Sequence, residues 1–280
     1  MQTRVIAIAN QKGGVGKTTT VINLAACLAE LEKYVLVVDL DPQANATSGL
    51  GLEKTEGGSL YPVLLGEETA DAKIRESVVH RVDCIPAELD LAGSEVDIAR
   101  MDGYIHCVQR ALRPLMDEGP YDIMLLDCPP SLGILTMNAL AAAHGILAPI
   151  QCEYYALEGL SVITRLVEQL RNGGANPALD IEGILMTMFD ARTNLSRQVV
   201  EEVQGHFADR VYRTVIPRNI RLGEAPSYGR PVIQYDPSSA GARAYRELAV
   251  EFLARRGENV THPKLMPAET RRLPVVKVQV

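Results

Sequence analysis

Gln11-Lys12-Gly13-Gly14-Val15-Gly16-Lys17-Thr18-Thr19 lies where the hydrophobic pattern changes period. Before it runs an unbroken apolar segment, Val5-Ile6-Ala7-Ile8-Ala9. After it, Val21, Leu24, Ala25, Leu28 and Leu31 fall on one face of a helix. Strand, glycine turn and helix, in that order, are the context a phosphate-binding loop requires. Gly13, Gly14 and Gly16, with Val15 among them, let backbone N–H groups close around an anion, and the helix N-terminus adds partial positive charge. Lys17 is expected to reach the β- and γ-phosphates. Thr18 is expected to offer its hydroxyl to Mg²⁺, with Thr19 beside it in the nucleotide-binding set. The generic pattern wants a glycine five residues before Gly16, and Gln11 stands there instead, next to a second cation, Lys12. Taken alone, Lys12 reads as a solvent-facing lysine on a turn.

The rest of the chain alternates strand and helix patterns, which predicts an α/β fold with a mainly parallel twisted sheet and helices on both faces. Strands are expected at 5–9, 35–39, 123–127, 145–150 and 181–188, with shorter ones at 82–86 and 211–216. Helices are expected at 18–31, 104–116, 134–143, 157–171, 195–207 and 240–255. Near-continuous apolar strands such as Ile123-Met124-Leu125-Leu126 fit burial on both faces. One domain is expected over 1–256. A tail at 257–280, interrupted by Pro263, Pro267 and Pro274, is expected to be flexible, with a possible edge strand at 275–278.

A chain of 280 residues, 47% apolar, can bury a sizeable core. It has no apolar run near the roughly 20 residues that span a bilayer, and its first apolar run reads as a strand rather than a leader. Five cysteines are scattered without metal-ligand spacing and read as core thiols in a reducing cytoplasm. The net charge of −7 argues against a uniformly basic nucleic-acid coat. Locally the balance differs: between residues 191 and 247, nine arginines face six acids.

Two carboxylates complete the site. Val37-Val38-Asp39-Leu40-Asp41-Pro42 places acids at the C-terminal end of a parallel strand, where open α/β sheets bind ligands. Asp41, followed by proline, begins a loop and can point toward a γ-phosphate, although Asp-Pro after a strand is also an ordinary turn. Leu125-Leu126-Asp127-Cys128-Pro129-Pro130-Ser131 fits a strand whose terminal carboxylate holds Mg²⁺ through water.

Together these motifs resemble the deviant Walker A (ParA/MinD) superfamily of P-loop NTPases, and within it the ParA/Soj-type partition ATPases. Val215-Ile216-Pro217-Arg218-Asn219 and its continuation to Asp236 resemble that family too, so the likeness spans roughly residues 4 to 255. The resemblance implies ATP and Mg²⁺ as cofactors and catalytic roles for Lys12, Lys17 and Asp41. Lys12 would reach the nucleotide of a partner subunit in a homodimer, and Asp41 would orient the attacking water. Pro217 and Asn219 would lie against the adenine, and Arg192 and Arg221 would contact DNA without regard to sequence. It implies a ParB-type partner, a cytoplasmic, nucleoid-associated location and no membrane binding. Alternatives are a MinD-like membrane ATPase, a positioner of another cargo, and a metabolic enzyme on the same scaffold.

Overall fold

Val35-Leu36-Val37-Val38 and Ile123-Met124-Leu125-Leu126 are apolar at every position because both faces of their strands are covered. In the computed structural model, which describes residues 3–258 and 260, these segments lie side by side in a seven-stranded sheet. The strands are β1 (Arg4–Ile8), β2 (Val35–Asp39), β3 (Arg75–Glu76), β4 (Val82–Ile85), β5 (Ile123–Asp127), β6 (Gly145–Gln151) and β7 (Ile181–Thr187). Their order is β3-β4-β2-β5-β1-β6-β7, all parallel except the β3–β4 pair at one edge.

The helices are α1 (Lys17–Glu30), α2 (Asn45–Gly49), α3 (Tyr61–Leu64), α4 (Ala70–Lys73), α5 (Leu91–Ile98), α6 (Cys107–Glu118), α7 (Ile134–Ala142), α8 (Ala156–Asn172), α9 (Asn194–Phe207), α10 (Ile220–Glu224), α11 (Val232–Tyr235) and α12 (Ala240–Ala254). Strand alternation divides the core between them. Ile6, Ile8, Val35, Val37, Ile123 and Leu125 pack with α1 and α12. Val5, Ala7, Leu36, Val38, Met124 and Leu126 pack on the opposite face with α6, α7 and α8. Every second side chain belongs to the other layer, as a pleated strand demands.

β1 lies between β5 and β6, so the chain leaves the centre of the sheet in both directions. That reversal opens the crevice outside the carboxyl ends of the strands where such folds bind ligands. The loop after β1 and the acids ending β2 and β5 all emerge there.

The expected strand at 211–216 is not one. It makes only isolated bridges, Ile184 with Val211 and Phe189 with Pro217. The backbone N–H groups of Arg213 and Thr214 donate to the Glu251 carboxylate, both at 2.8 Å, instead of joining a ladder, and Pro217 has no N–H to give. The helix expected at 104–116 begins instead as a 3₁₀ turn at Tyr104–His106 before α6. The tail strand expected at 275–278 lies outside the described residues.

Candidate phosphate-binding and metal-binding site

α9 and α12 begin on capping hydroxyls: Thr193 and Ser239 accept from the N–H groups of Ser196 and Ala242. α1 does not. Its first turn has no side-chain cap and no acid, and it starts from Gly16 at φ 95°. Left-handed backbone of that kind suits glycine, and Gly14 at φ 75° repeats it within the loop. The uncapped N–H groups of a 14-residue helix are therefore left for an anion.

The two lysines of the loop point to different places. Lys17 is buried, with Nζ 3.2 Å from the carbonyl oxygen of Lys12. Burial pulls its ammonium below the usual lysine range, while the charges of Asp127 and Asp41 hold it up. Lys12 leaves the loop on the outer side, and its half-exposed Nζ pairs with Glu153 Oε2 at 2.7 Å. Glu153 also accepts from the Gln151 amide. The exposed Gly13 lies nearest to Pro130 of the loop after β5, which therefore borders the same crevice.

Asp39 and Asp127 are register partners on β2 and β5, and both are fully buried. Asp39 is saturated: it accepts from Asp41 N at 3.1 Å, Thr47 N at 2.8 Å and Thr47 Oγ1 at 2.7 Å. Burial pushes its carboxyl up to about 6, against the pull of those hydrogen bonds. Neither oxygen of Asp127 makes a hydrogen bond of good geometry, and the Thr18 hydroxyl only stands near it. Burial first, then the charge of Asp39, drives its carboxyl well above the usual range, and the Thr18 hydroxyl offsets part of this. A buried, unpartnered carboxylate beside a threonine hydroxyl fits a hard cation. Among the described residues no group of three or more His, Cys, Asp or Glu is placed to hold a metal.

Asp41 is almost buried, and its Oδ1 accepts from Gln43 N at 3.0 Å. Its loop turns through Ala44 at φ 55°, a left-handed conformation uncommon for a residue with a side chain. The structure thus brings Lys17, Asp39, Asp41, Asp127 and the start of α1 together, with Lys12 at their outer rim.

A family model described as an AAA domain matches residues 3–181. The chain is 51% identical over 252 residues to the sporulation initiation inhibitor protein Soj of Bacillus subtilis, covering 90% of this chain and 98% of that protein. It is 49% identical over 253 residues to the chromosome partitioning protein ParA of Myxococcus xanthus, covering 90% and 88%. Among solved structures, a cobyrinic acid a,c-diamide synthase from Mycobacterium smegmatis, with a bound ATP analogue and magnesium, superposes with a TM-score of 0.78 at 36% identity, over 94% of this chain and all of that one. The chain belongs to the ParA/Soj family of chromosome-partitioning ATPases.

The remaining sites expected of a ParA/Soj protein lie at the far end of β7. Phe189 N donates to Ile216 O and Arg218 N to Phe189 O, which lays Pro217 along the end of the strand. Asn219 caps α10, its Oδ1 accepting from Arg221 N at 3.0 Å, so its amide NH₂ is the group that can face a base. The arginines are less available than a count of charges implies. Arg192 makes a two-pronged pair with Asp190, at 2.9 and 2.7 Å, and this holds the Asp190 carboxyl at about 2. Arg221 pairs with Glu224 at 2.7 Å and with Asp236 at 3.3 Å.

Two features escaped the sequence reading. Asn10, buried just ahead of the loop, bridges the loop to β6 through its side chain. Thr47 joins Asp39 to the loop after β4, its hydroxyl accepting from Ala87 N at 2.9 Å. An isolated Asn directly after an apolar strand was the available signal for the first. No local pattern marks the second.

Proposed function

We propose that this ParA/Soj-family protein is an ATP-dependent dimerising switch that binds DNA without sequence preference and drives segregation of chromosome or plasmid copies. The divergence of the two loop lysines carries this reading. Lys17 is positioned to serve its own nucleotide, whereas Lys12 projects outward from the same loop. A cation in that place, once it exchanges Glu153 for a new partner, can serve something docked from outside, and a second copy bearing its own ATP meets the requirement.

In this reading the backbone of residues 13–16 and the start of α1 cradle the phosphates, with Thr18 and Thr19 in the first turn. Thr18 and Asp127 would hold Mg²⁺, Asp127 through water. An ion held there would supply positive charge against the phosphate oxygens. Lys17 adds a positive charge within the subunit and Lys12 another across the interface, in the manner of an arginine finger, whose contribution is about 10³–10⁵ in rate. Asp41 orients the water that attacks the γ-phosphate. Pro217 and Asn219 flank the adenine. Loss of the γ-phosphate then frees the loops at 41–47 and 128–133 and loosens the dimer.

Arg192 and Arg221 are the proposed phosphate contacts on DNA. Each must exchange a carboxylate partner for a phosphate, so one copy binds weakly, and pairing two copies multiplies the effect through avidity. A ParB-type protein would stimulate turnover, and DNA binding by the ATP-bound dimer would hold the protein on the nucleoid until then. The likeness to a synthase raises a small-molecule reading. Against it, relatives that share about half of their sequence with this chain are named for chromosome partitioning. Among the described residues no helix is long and apolar enough to cross a membrane.

Titration onto duplex DNA of arbitrary sequence, with ATP, with ADP and without nucleotide, tests the switch. Binding should require ATP and weaken steeply with salt. Equal binding in all three states would refute it.

A further inference from the structure

Lys12 is held at three points, and only one of them is its side chain. Its ammonium meets Glu153, its carbonyl accepts from Lys17, and its N–H donates to Asn10 Oδ1 at 2.9 Å. In a phosphate-binding loop the backbone N–H groups ordinarily face the anion. This one is turned away and spent on a side chain. The other end of the Asn10 amide, Nδ2, donates to Pro149 O at 2.8 Å. Proline has no N–H with which to continue a ladder, and the side chain of Asn10, only 3% exposed, spans from β6 to the loop at this point.

We infer that Asn10 is a positioning residue for the ATPase reaction: by clamping the Lys12 backbone to β6, it fixes the outward departure of the lysine and makes that cation available to a second subunit. The inference rests on the trans role proposed for Lys12. Its chemical logic is specific to an amide. Only a side chain that both donates and accepts can satisfy a carbonyl on one strand and an N–H on the adjoining loop. Burial makes each unmade bond costly, so the bridge is rigid rather than incidental. Without it, the peptide ahead of Gly13 is free to rotate. The start of α1, including the backbone of Lys17, is anchored elsewhere, by the α1 ladder and by the bond from Thr187 Oγ1 to Val15 O at 2.8 Å. The expected signature is therefore a split: nucleotide binding within one subunit persists, while association of two subunits suffers.

The test places Asn10→Ala, Asn10→Ser and Asn10→Asp in an Asp41→Ala background that prevents turnover. Dimer formation in Mg-ATP is read by sedimentation, and monomer affinity by a fluorescent ATP analogue. Asn10→Ala should weaken dimerisation about tenfold or more, with analogue affinity within about threefold of the parent. Asn10→Ser, too short to bridge but polar enough to keep the fold, should behave likewise. Asn10→Asp keeps an acceptor for the Lys12 N–H but, when ionised, has no donor for Pro149 O, so it too should lose the dimer. Undiminished dimerisation in the Ala and Ser variants would overturn the inference, and so would an equal loss of monomer affinity. If the Asp41→Ala parent itself fails to dimerise, the trans role of Lys12 fails instead, and the two failures are thereby told apart.

Discussion

Asp39 and Asp127 end neighbouring strands, face each other in register and are equally buried, yet one has three hydrogen bonds and the other none. The difference separates support from chemistry. Asp39 spends its carboxylate on the protein, tying the loop that carries Asp41 to the end of β2. Asp127 keeps both oxygens for something the chain does not supply. Buried carboxylates cost stability when left unpartnered, so the second arrangement makes physical sense only where a cation compensates it.

Substitutions should separate the pair in opposite directions. Asp39→Ala strips the acceptor from three buried donors and should cost about 3 kcal/mol of folding stability, measured by urea unfolding. Asp127→Ala should instead leave the nucleotide-free protein as stable as before or more so, while lowering Mg²⁺-dependent ATP affinity about 100-fold by calorimetry. If both substitutions destabilise the free protein equally, the contrast is false. Thr47→Val removes one hydroxyl from the Asp39 network and the acceptor for Ala87 N, and should cost about 1–2 kcal/mol without changing Mg²⁺ affinity.

The smallest effect is a pH dependence. Asp39 is pushed up to about 6 and Asp127 upward as well, both chiefly by burial. Between the ordinary carboxylate value of 3.8 and about 6, the folded, metal-free pair therefore holds more protons than the unfolded chain. Its contribution to stability falls as pH rises through that window. Mg²⁺ displaces the proton that burial favours on Asp127, so its affinity should rise with pH. Calorimetry in buffers of different ionisation enthalpy would detect the released protons; no proton release at pH 5.5 would contradict the coupling.

Much of this was legible in the sequence, for reasons that differ by region. β2 and β5 announce themselves because strands buried on both sides are apolar up to their closing acids, and α1 because its apolar residues repeat at helical spacing, although the helix is buried all round from Thr20 to Leu28. The acids at the strand ends follow from where such sheets bind ligands. The short helices α2, α3, α4, α10 and α11 were not legible, since four or five residues carry no period. The strand expected at 211–216 failed because Glu251, 37 positions after Thr214, takes the N–H that would join those of Tyr212 and Ile216 in pairing with β7. The apparent basic surplus around Arg192 and Arg221 shrinks because Asp190 lies just outside the counted window and Glu224 and Asp236 converge on a single arginine. Side-chain bridges such as Asn10 to Pro149 join residues 139 positions apart, beyond the reach of any local pattern.

The most direct measurement of the central claim is the sedimentation of the Asp41→Ala protein in saturating Mg-ATP, with and without Lys12→Ala. A cation donated across the interface predicts a dimer in the first case and a monomer in the second. Monomers in both, or dimers in both, would contradict it.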